Sequence, residues 1–214
     1  MELIYEHIAK SKYSQMNQDI WVLKATNFKR NGYFVDFGAG DGVELSNTYK
    51  LEKDYNWGGI VCEPNKKFQE NIAKTRSCFV DHRCVYSETG KNLKFLAVTS
   101  NPELSSVEEY AFLGDEFAEA RKQNESYFVQ SVSLNDLLKE YNAPKNIDYM
   151  SIDTEGSEFD ILQSFDFSQY DVKLFTIEHN WMPPRQKIYD LMISNGYKRV
   201  HEEYSRWDDW YIKI

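Results

Sequence analysis

The chain has 214 residues, 42% hydrophobic and 28% charged, a balance that suits a globular protein and excludes fibrous and disordered classes. Its 34 acidic side chains outnumber 25 basic ones, and the net charge of −9 is the wrong sign for holding nucleic acid through phosphate neutralisation. No apolar run approaches the roughly 18 residues that span a bilayer, and the three cysteines lack the spacing of a disulfide framework or a zinc cage.

The opening stretch MELIYEHIAK has no positive segment followed by an apolar one, so no secretion signal is read and the expected compartment is the cytoplasm. Residues 1–30 read as a helical extension, with a helix over 16–29 whose start carries Gln15 and Gln18. A strand over 33–37 runs into Gly38-Ala39-Gly40-Asp41-Gly42, and a helix is expected over 44–54. Alternating glycines after a strand let backbone approach a ligand with no Cβ in the way. Exposed N–H groups at a following helix start can receive an anionic group. A dinucleotide fingerprint would want its third glycine at position 43, where this chain has Val43. The strand over 59–62 ends in Glu63-Pro64-Asn65, ahead of a helix over 66–75. A carboxylate there can accept from ribose hydroxyls and repels a 2′-phosphate.

Strands over 93–98 and 128–133 bracket the weakest pattern in the chain. Residues 100–124 are read as an insertion with one helix, a candidate lid. After a helix over 134–141, the strand over 147–152 leads into Asp153-Thr154-Glu155-Gly156 and a helix over 158–164. The strand over 174–177 ends in Glu178-His179-Asn180, before a helix over 185–195. Residues 197–201 and 207–214 read as a closing antiparallel hairpin. Strands alternating with helices predict an α/β fold, a parallel sheet in one domain spanning 1–214. In such a sheet ligands bind beyond the carboxyl ends of the strands. Polar clusters follow four of these strands, so they should converge on one rim.

The segment from Asp36 to Gly42 looks like motif I of class I S-adenosylmethionine-dependent methyltransferases. More narrowly, the chain resembles the FkbM family of O-methyltransferases. The resemblance rests on Ser14-Gln15-x-x-Gln18-Asp19, on VDFGAGDG at 35–42, on Ser46-Asn47-Thr48 and on NWGGIVCEPN at 56–65. It continues through Tyr149-x-Ser151-Ile152-Asp153-Thr154-Glu155-Gly156-Ser157-Glu158 and Ile177-Glu178-His179-Asn180, while Arg83-Cys84-Val85-Tyr86-Ser87 departs from the family pattern. It implies a Rossmann-like, seven-stranded sheet with helices on both faces and a reversed final strand. It also implies S-adenosylmethionine as cofactor, held by Gly38, Ala39, Gly40, Gly42 and Asn47, with Glu63 on its ribose. Pro64 and Asp153 would border it, and Gln15 and Gln18 would close over its methionine end.

Methyl transfer to a hydroxyl needs alignment and a proton acceptor. Of the four histidines, His7 lies in the opening stretch, His82 in a charged loop and His201 in the terminal hairpin. His179 ends a strand beside the expected site and is the candidate general base. Asp153 and Glu155 leave their strand two residues apart and can project to one side, as further candidate catalytic residues. They could orient an acceptor hydroxyl, favour the cofactor's positive charge or hold a divalent ion. Asp153, Glu178 and His179 offer ligand atoms for magnesium, manganese or zinc, but their spacing is no firm signature and no metal is assigned. The expected acceptor is a carbohydrate or similar small metabolite, with neither nucleic acid nor membrane as partner, and the sequence leaves the oligomeric state open. Two other readings share this sheet. An NAD-dependent oxidoreductase or epimerase is disfavoured by Val43 and by the lack of a Tyr-x-x-x-Lys helix after the central strands. A non-catalytic nucleotide-binding module is disfavoured by Asp153, Glu155 and His179.

Overall fold

Near-continuous apolar runs such as YFVDF and NIDYMSI suit interior strands of a parallel sheet, where both faces are covered. A computed structural model describes residues 10–214, so His7 lies outside the described residues. Its elements are α1 (Gln18–Ala25), β1 (Tyr33–Phe37), α2 (Tyr49–Tyr55), β2 (Gly58–Cys62), α3 (Lys66–Thr75), β3 (Phe79–Asp81) and β4 (Cys84–Tyr86). There follow β5 (Asn92–Val98), β6 (Ser106–Val107), β7 (Asn124–Ser133), α4 (Leu134–Glu140) and β8 (Asn146–Ile152). The chain closes with α5 (Glu158–Ser164), β9 (Asp171–Glu178), α6 (Pro184–Ser194), β10 (Tyr197–Val200) and β11 (Asp208–Lys213).

Seven strands form the main sheet in the order β10-β11-β9-β8-β1-β2-β3, and β11 runs antiparallel to both its neighbours. The expected seven-stranded sheet with a reversed final strand is therefore present. Because side chains alternate along a strand, β1 sends Val35 and Phe37 to one face and Phe34 to the other. The first face packs against α4, α5 and α6 through Leu137, Ile161 and Met192. The second packs against α1, α2 and α3 through Trp21, Leu51 and Ile72.

Strand order reverses between β1 and β8, the place where an open sheet leaves a crevice. Register makes the consequence specific. Cys62, Phe37, Ile152 and Ile177 stand in one row across β2, β1, β8 and β9. The next residues along are Glu63, Gly38, Asp153 and Glu178, so these four stand side by side at the carboxyl rim, Glu178 still paired with Asp208 of β11.

Three expectations need correction. The strands β5 and β7 do not join the main sheet: they pair antiparallel in a second sheet of order β4-β7-β5-β6. The segment between them holds β6 and two 3₁₀ turns, Pro102–Leu104 and Ala120–Lys122, and no α-helix; Pro102 and Gly114, at φ 100°, interrupt it. The helix expected from residue 44 starts only at Tyr49. Asp41 Oδ1 accepts the N–H groups of Val43 and Glu44, and Ser46 Oγ accepts that of Tyr49, local bonds that hold a turn in place of a helix. Among the described residues no helix is long and apolar enough to cross a membrane.

Candidate active site

The glycine loop begins where two strand ends touch. Gly38 sits at φ 78°, and a Cβ there would lie 1.4 Å from the carbonyl oxygen of Asp153, so only glycine lets β1 and β8 emerge this close. Gly40, at φ 54°, is different: a Cβ there would meet no atom within 4 Å. Its free side faces a cavity of about 530 Å³, lined by Gly38, Ala39 and Gly40 on one wall and Asp153, Glu155 and Glu178 on another. Gln15, Gln18, Asn47, Glu63 and Pro64 border the same space. So do Cys84 and Val85, from the segment that departs from the family pattern.

Glu63 braces the loop. Its Oε2 accepts the Gly40 N–H at 2.9 Å and its Oε1 the Asn65 N–H at 2.7 Å. Burial still dominates, and the carboxyl is pushed up to about 8. Asn47 donates Nδ2 to Ser151 Oγ at 3.0 Å, while its buried Oδ1 has no partner. Gln18 is fixed at both ends of its amide, accepting from the Met16 N–H at 2.7 Å and donating to Asp208 Oδ2 at 3.1 Å.

Two predicted residues are not brought to this cavity. Gly42, at φ 81°, turns away from it and packs against Ile72 and Arg76. It serves the seat of α3, and its carbonyl accepts from Arg76 Nη1 at 3.1 Å. His179 is buried behind the wall, in a narrow crevice it shares with Glu155, Glu178 and Asn180. Its Nδ1 accepts the Trp181 N–H at 3.0 Å, which leaves the proton on Nε2, 3.5 Å from Asp209 Oδ1.

The acids form the other wall. Carboxylate oxygens of Asp153, Glu155 and Glu178 all lie within 4.8 Å of one another. Desolvation raises all three; Asp153, whose side chain stays open to the cavity, also feels the charge of Glu158, which adds to the effect. For Glu155 and Glu178 the neighbouring Asp153 is the next contribution after burial. Glu155 sits at φ 59°, in a loop that Glu158 ties together by accepting the Thr154 and Gly156 N–H groups.

Arg121 is a site residue with no sequence signal. It is fully buried, donates Nη2 to Glu155 Oε2, and pairs through Nη1 with Asp115 at 2.7 Å. Its Nε donates to the Leu104 carbonyl at 2.8 Å, so one guanidinium fastens the insertion to the acid wall. Ser106 adds a bond to the Glu155 carbonyl at 2.8 Å, and Trp207, in the cavity wall, donates Nε1 to Glu116 at 3.3 Å.

A family model described as the methyltransferase FkbM domain matches residues 36–210. No curated protein matches the sequence significantly. Among solved structures the chain is similar to a precorrin-6y C5,15-methyltransferase from Geobacter metallireducens, with a TM-score of 0.48 and 11% identity over 95% of this chain and 90% of that one. It is also similar to a ribosomal protein L11 methylase from Lactobacillus delbrueckii subsp. bulgaricus, with a TM-score of 0.45 and 12% identity over 92% of this chain and 78% of that one.

Proposed function

The chain belongs to the FkbM methyltransferase family and is an S-adenosylmethionine-dependent methyltransferase, and from that premise we propose that it methylates a hydroxyl of a carbohydrate or similar small metabolite. The observation that carries this reading is the cavity at the strand-order reversal, with a bare glycine backbone on one side and a row of carboxylates on the other. The residues present suit the cofactor. A Cβ-free approach at Gly40, an unpartnered Asn47 Oδ1 and a Glu63 carboxylate with further lone pairs offer it backbone, an amide oxygen and a ribose acceptor. When bound, S-adenosylmethionine supplies an electrophilic methyl group that a nucleophile displaces in line.

The chain's own contribution is alignment and proton handling. Gln15 and Gln18 border the cavity with amides, and Trp207 and Phe117 border it with aromatic faces, a mixture suited to the hydroxyls and the apolar faces of a sugar ring. Asp153 faces this space directly, where its carboxylate can accept the hydrogen bond, and then the proton, of an acceptor hydroxyl. We assign that role to Asp153 in place of His179, whose Nδ1 already serves the Trp181 N–H. His179 is then a support for the end of β9. Given the charge of −9, we keep a small-molecule acceptor in preference to nucleic acid or membrane, and the cytoplasm as compartment.

The deciding experiment is a methyl-transfer screen of the purified chain against glycans, nucleotide sugars, amines and carboxylates. Labelled methyl on a hydroxyl oxygen is the expected result. Turnover confined to the amines or the carboxylates would remove the proposal while leaving the family assignment intact. Asp153→Asn should lower kcat with little change in cofactor affinity measured by calorimetry.

A further inference from the structure

The acid wall has too little positive charge around it. Asp115, Glu155, Asp153 and Glu178 stand together, and Arg121, already shared between Asp115 and Glu155, is the cation paired with them. No ion pair reaches Asp153 or Glu178 among the described residues. Glu155 Oε2 is taken by Arg121 and by Asn180 Nδ2 at 3.2 Å. Glu178 is 8% exposed, yet its Oε2 has no partner and the side chain lines the cavity. A buried carboxylate oxygen with no donor is costly, and it points to a group that the protein itself does not supply. The buried Asn180 Oδ1, in the same wall, is orphaned as well.

We propose that Asp153, Glu155 and Glu178 hold a hard divalent cation at the wall of the methyl-transfer cavity. The ligand set is all oxygen, which suits calcium, magnesium or manganese and disfavours metals that prefer sulfur or imidazole. The dimensions agree. Two oxygens on opposite sides of one ion lie about twice the metal–oxygen distance apart, roughly 4.6–5.2 Å for calcium and about 4.2 Å for magnesium. The observed separations, within 4.8 Å, therefore fit a calcium-sized ion as the side chains stand, and a smaller ion once they draw together. Two of the ligands come from one loop and one from the next strand end. The ion would thus bridge β8 and β9 beside the crevice, and the orphaned Asn180 Oδ1 offers a neutral oxygen nearby. This site deepens the proposed function by giving the acceptor hydroxyl a cation to sit on, but it rests on the carboxylate geometry and not on which acceptor is used.

The test is calorimetric titration of the full chain, stripped with a chelator and free of cofactor, with calcium, magnesium and manganese chlorides separately. The expected result is one saturable site per chain for at least one of the three ions. Glu178→Gln and Asp153→Asn, each checked for folding by circular dichroism, should weaken it by roughly tenfold to a hundredfold or more. The surface variant Glu70→Gln should leave it unchanged. Absence of saturable binding for all three ions would overturn the site, since protons alone would then satisfy the cluster. Binding that persists undiminished in both cavity variants would also overturn it by putting the ion elsewhere. A chain that transfers methyl to a hydroxyl yet takes no cation would lose this inference and keep the function. One that takes the cation but methylates no hydroxyl would do the reverse.

Discussion

Two groups of acids lie on either side of β1, and their surroundings differ. Behind the glycine loop, Arg76 donates Nε to Glu52 Oε2 at 2.6 Å, Nη2 to Thr48 Oγ1 at 2.9 Å and Nη1 to the Gly42 carbonyl, while Thr48 Oγ1 donates onward to Asp36. Burial alone would raise Glu52, but bonds from Lys53 and Arg76 overcome it and hold the carboxyl at about 2. Across the strand, Asp153 and Glu178 have no such counter-ion and stay raised. Glu52 and Glu178, each 8% exposed, are thus satisfied in one place and left wanting in the other. The first group holds the loop against α3, and the second is shaped for something that arrives.

The sharpest way to break this comparison is Arg76→Met. It takes the guanidinium from the buried Glu52 Oε2 and leaves Lys53 and the Ser77 N–H on Oε1, and removing one partner of a buried pair costs about 3–5 kcal/mol. Thermal melts should then show a drop of roughly 10 °C or more. A shift of a degree or two would mean that the pair is not structural and that the two acid groups are alike.

Next in size is the pH dependence of the cofactor-free chain, where the two groups pull in opposite directions. Glu52, held at about 2 against an ordinary 4.5, contributes stability that is present above 4.5 and lost as pH falls towards 2. Glu63, on the cavity side, is raised from 4.5 to about 8. Between those values the folded chain keeps a proton that the unfolded chain has lost, so stability falls as pH rises through that window. The melting temperature should therefore peak on the acid side of neutrality and decline on both flanks, which a series of buffered melts reads directly. A flat profile above pH 5 would remove the burial assigned to Glu63.

Much of this contrast was legible in the sequence, because register is simple to read in a parallel sheet. Each apolar run stops at a polar residue, so Gly38, Glu63, Asp153 and Glu178 could be placed on one rim before any coordinates. What could not be read was facing. Glu178 and His179 are consecutive at a strand end, and consecutive side chains point to opposite sides, so a proton acceptor at His179 and a cavity-facing Glu178 are incompatible alternatives that spacing does not separate. Gly42 looks like Gly38 and Gly40 in the motif, yet its neighbours are side chains of α3. Arg121 had no signal, since its partners Leu104, Asp115 and Glu155 lie 17, 6 and 34 positions away across an aperiodic segment.

A smaller thermal effect belongs to Gly40→Ala. The residue must keep φ 54°, at a cost of about 1–2 kcal/mol, but the new methyl group meets nothing in the protein. Cofactor affinity by calorimetry should fall far more than that penalty explains, because the methyl group stands where backbone and ligand share space. Unchanged affinity would detach the loop from the cofactor.

The smallest change in stability, and the finest test of the contrast, is expected from Glu178→Gln. In a compensated cluster this substitution would be costly, since it would leave a buried donor unpaired, as Arg76→Met leaves Glu52 Oε2. Beside Asp153 the outcome should differ. The amide keeps the shape of the side chain, relieves the crowding of three carboxyl groups and can donate Nε2 towards the neighbouring Asp153, so stability should stay level or rise by up to about 1 kcal/mol. Turnover should nevertheless fall, since the wall loses charge where the acceptor and its ion are handled. A loss above about 2 kcal/mol in a denaturant titration would show that Glu178 is already paired within the protein, and the acid wall would then be a structural network like that around Arg76.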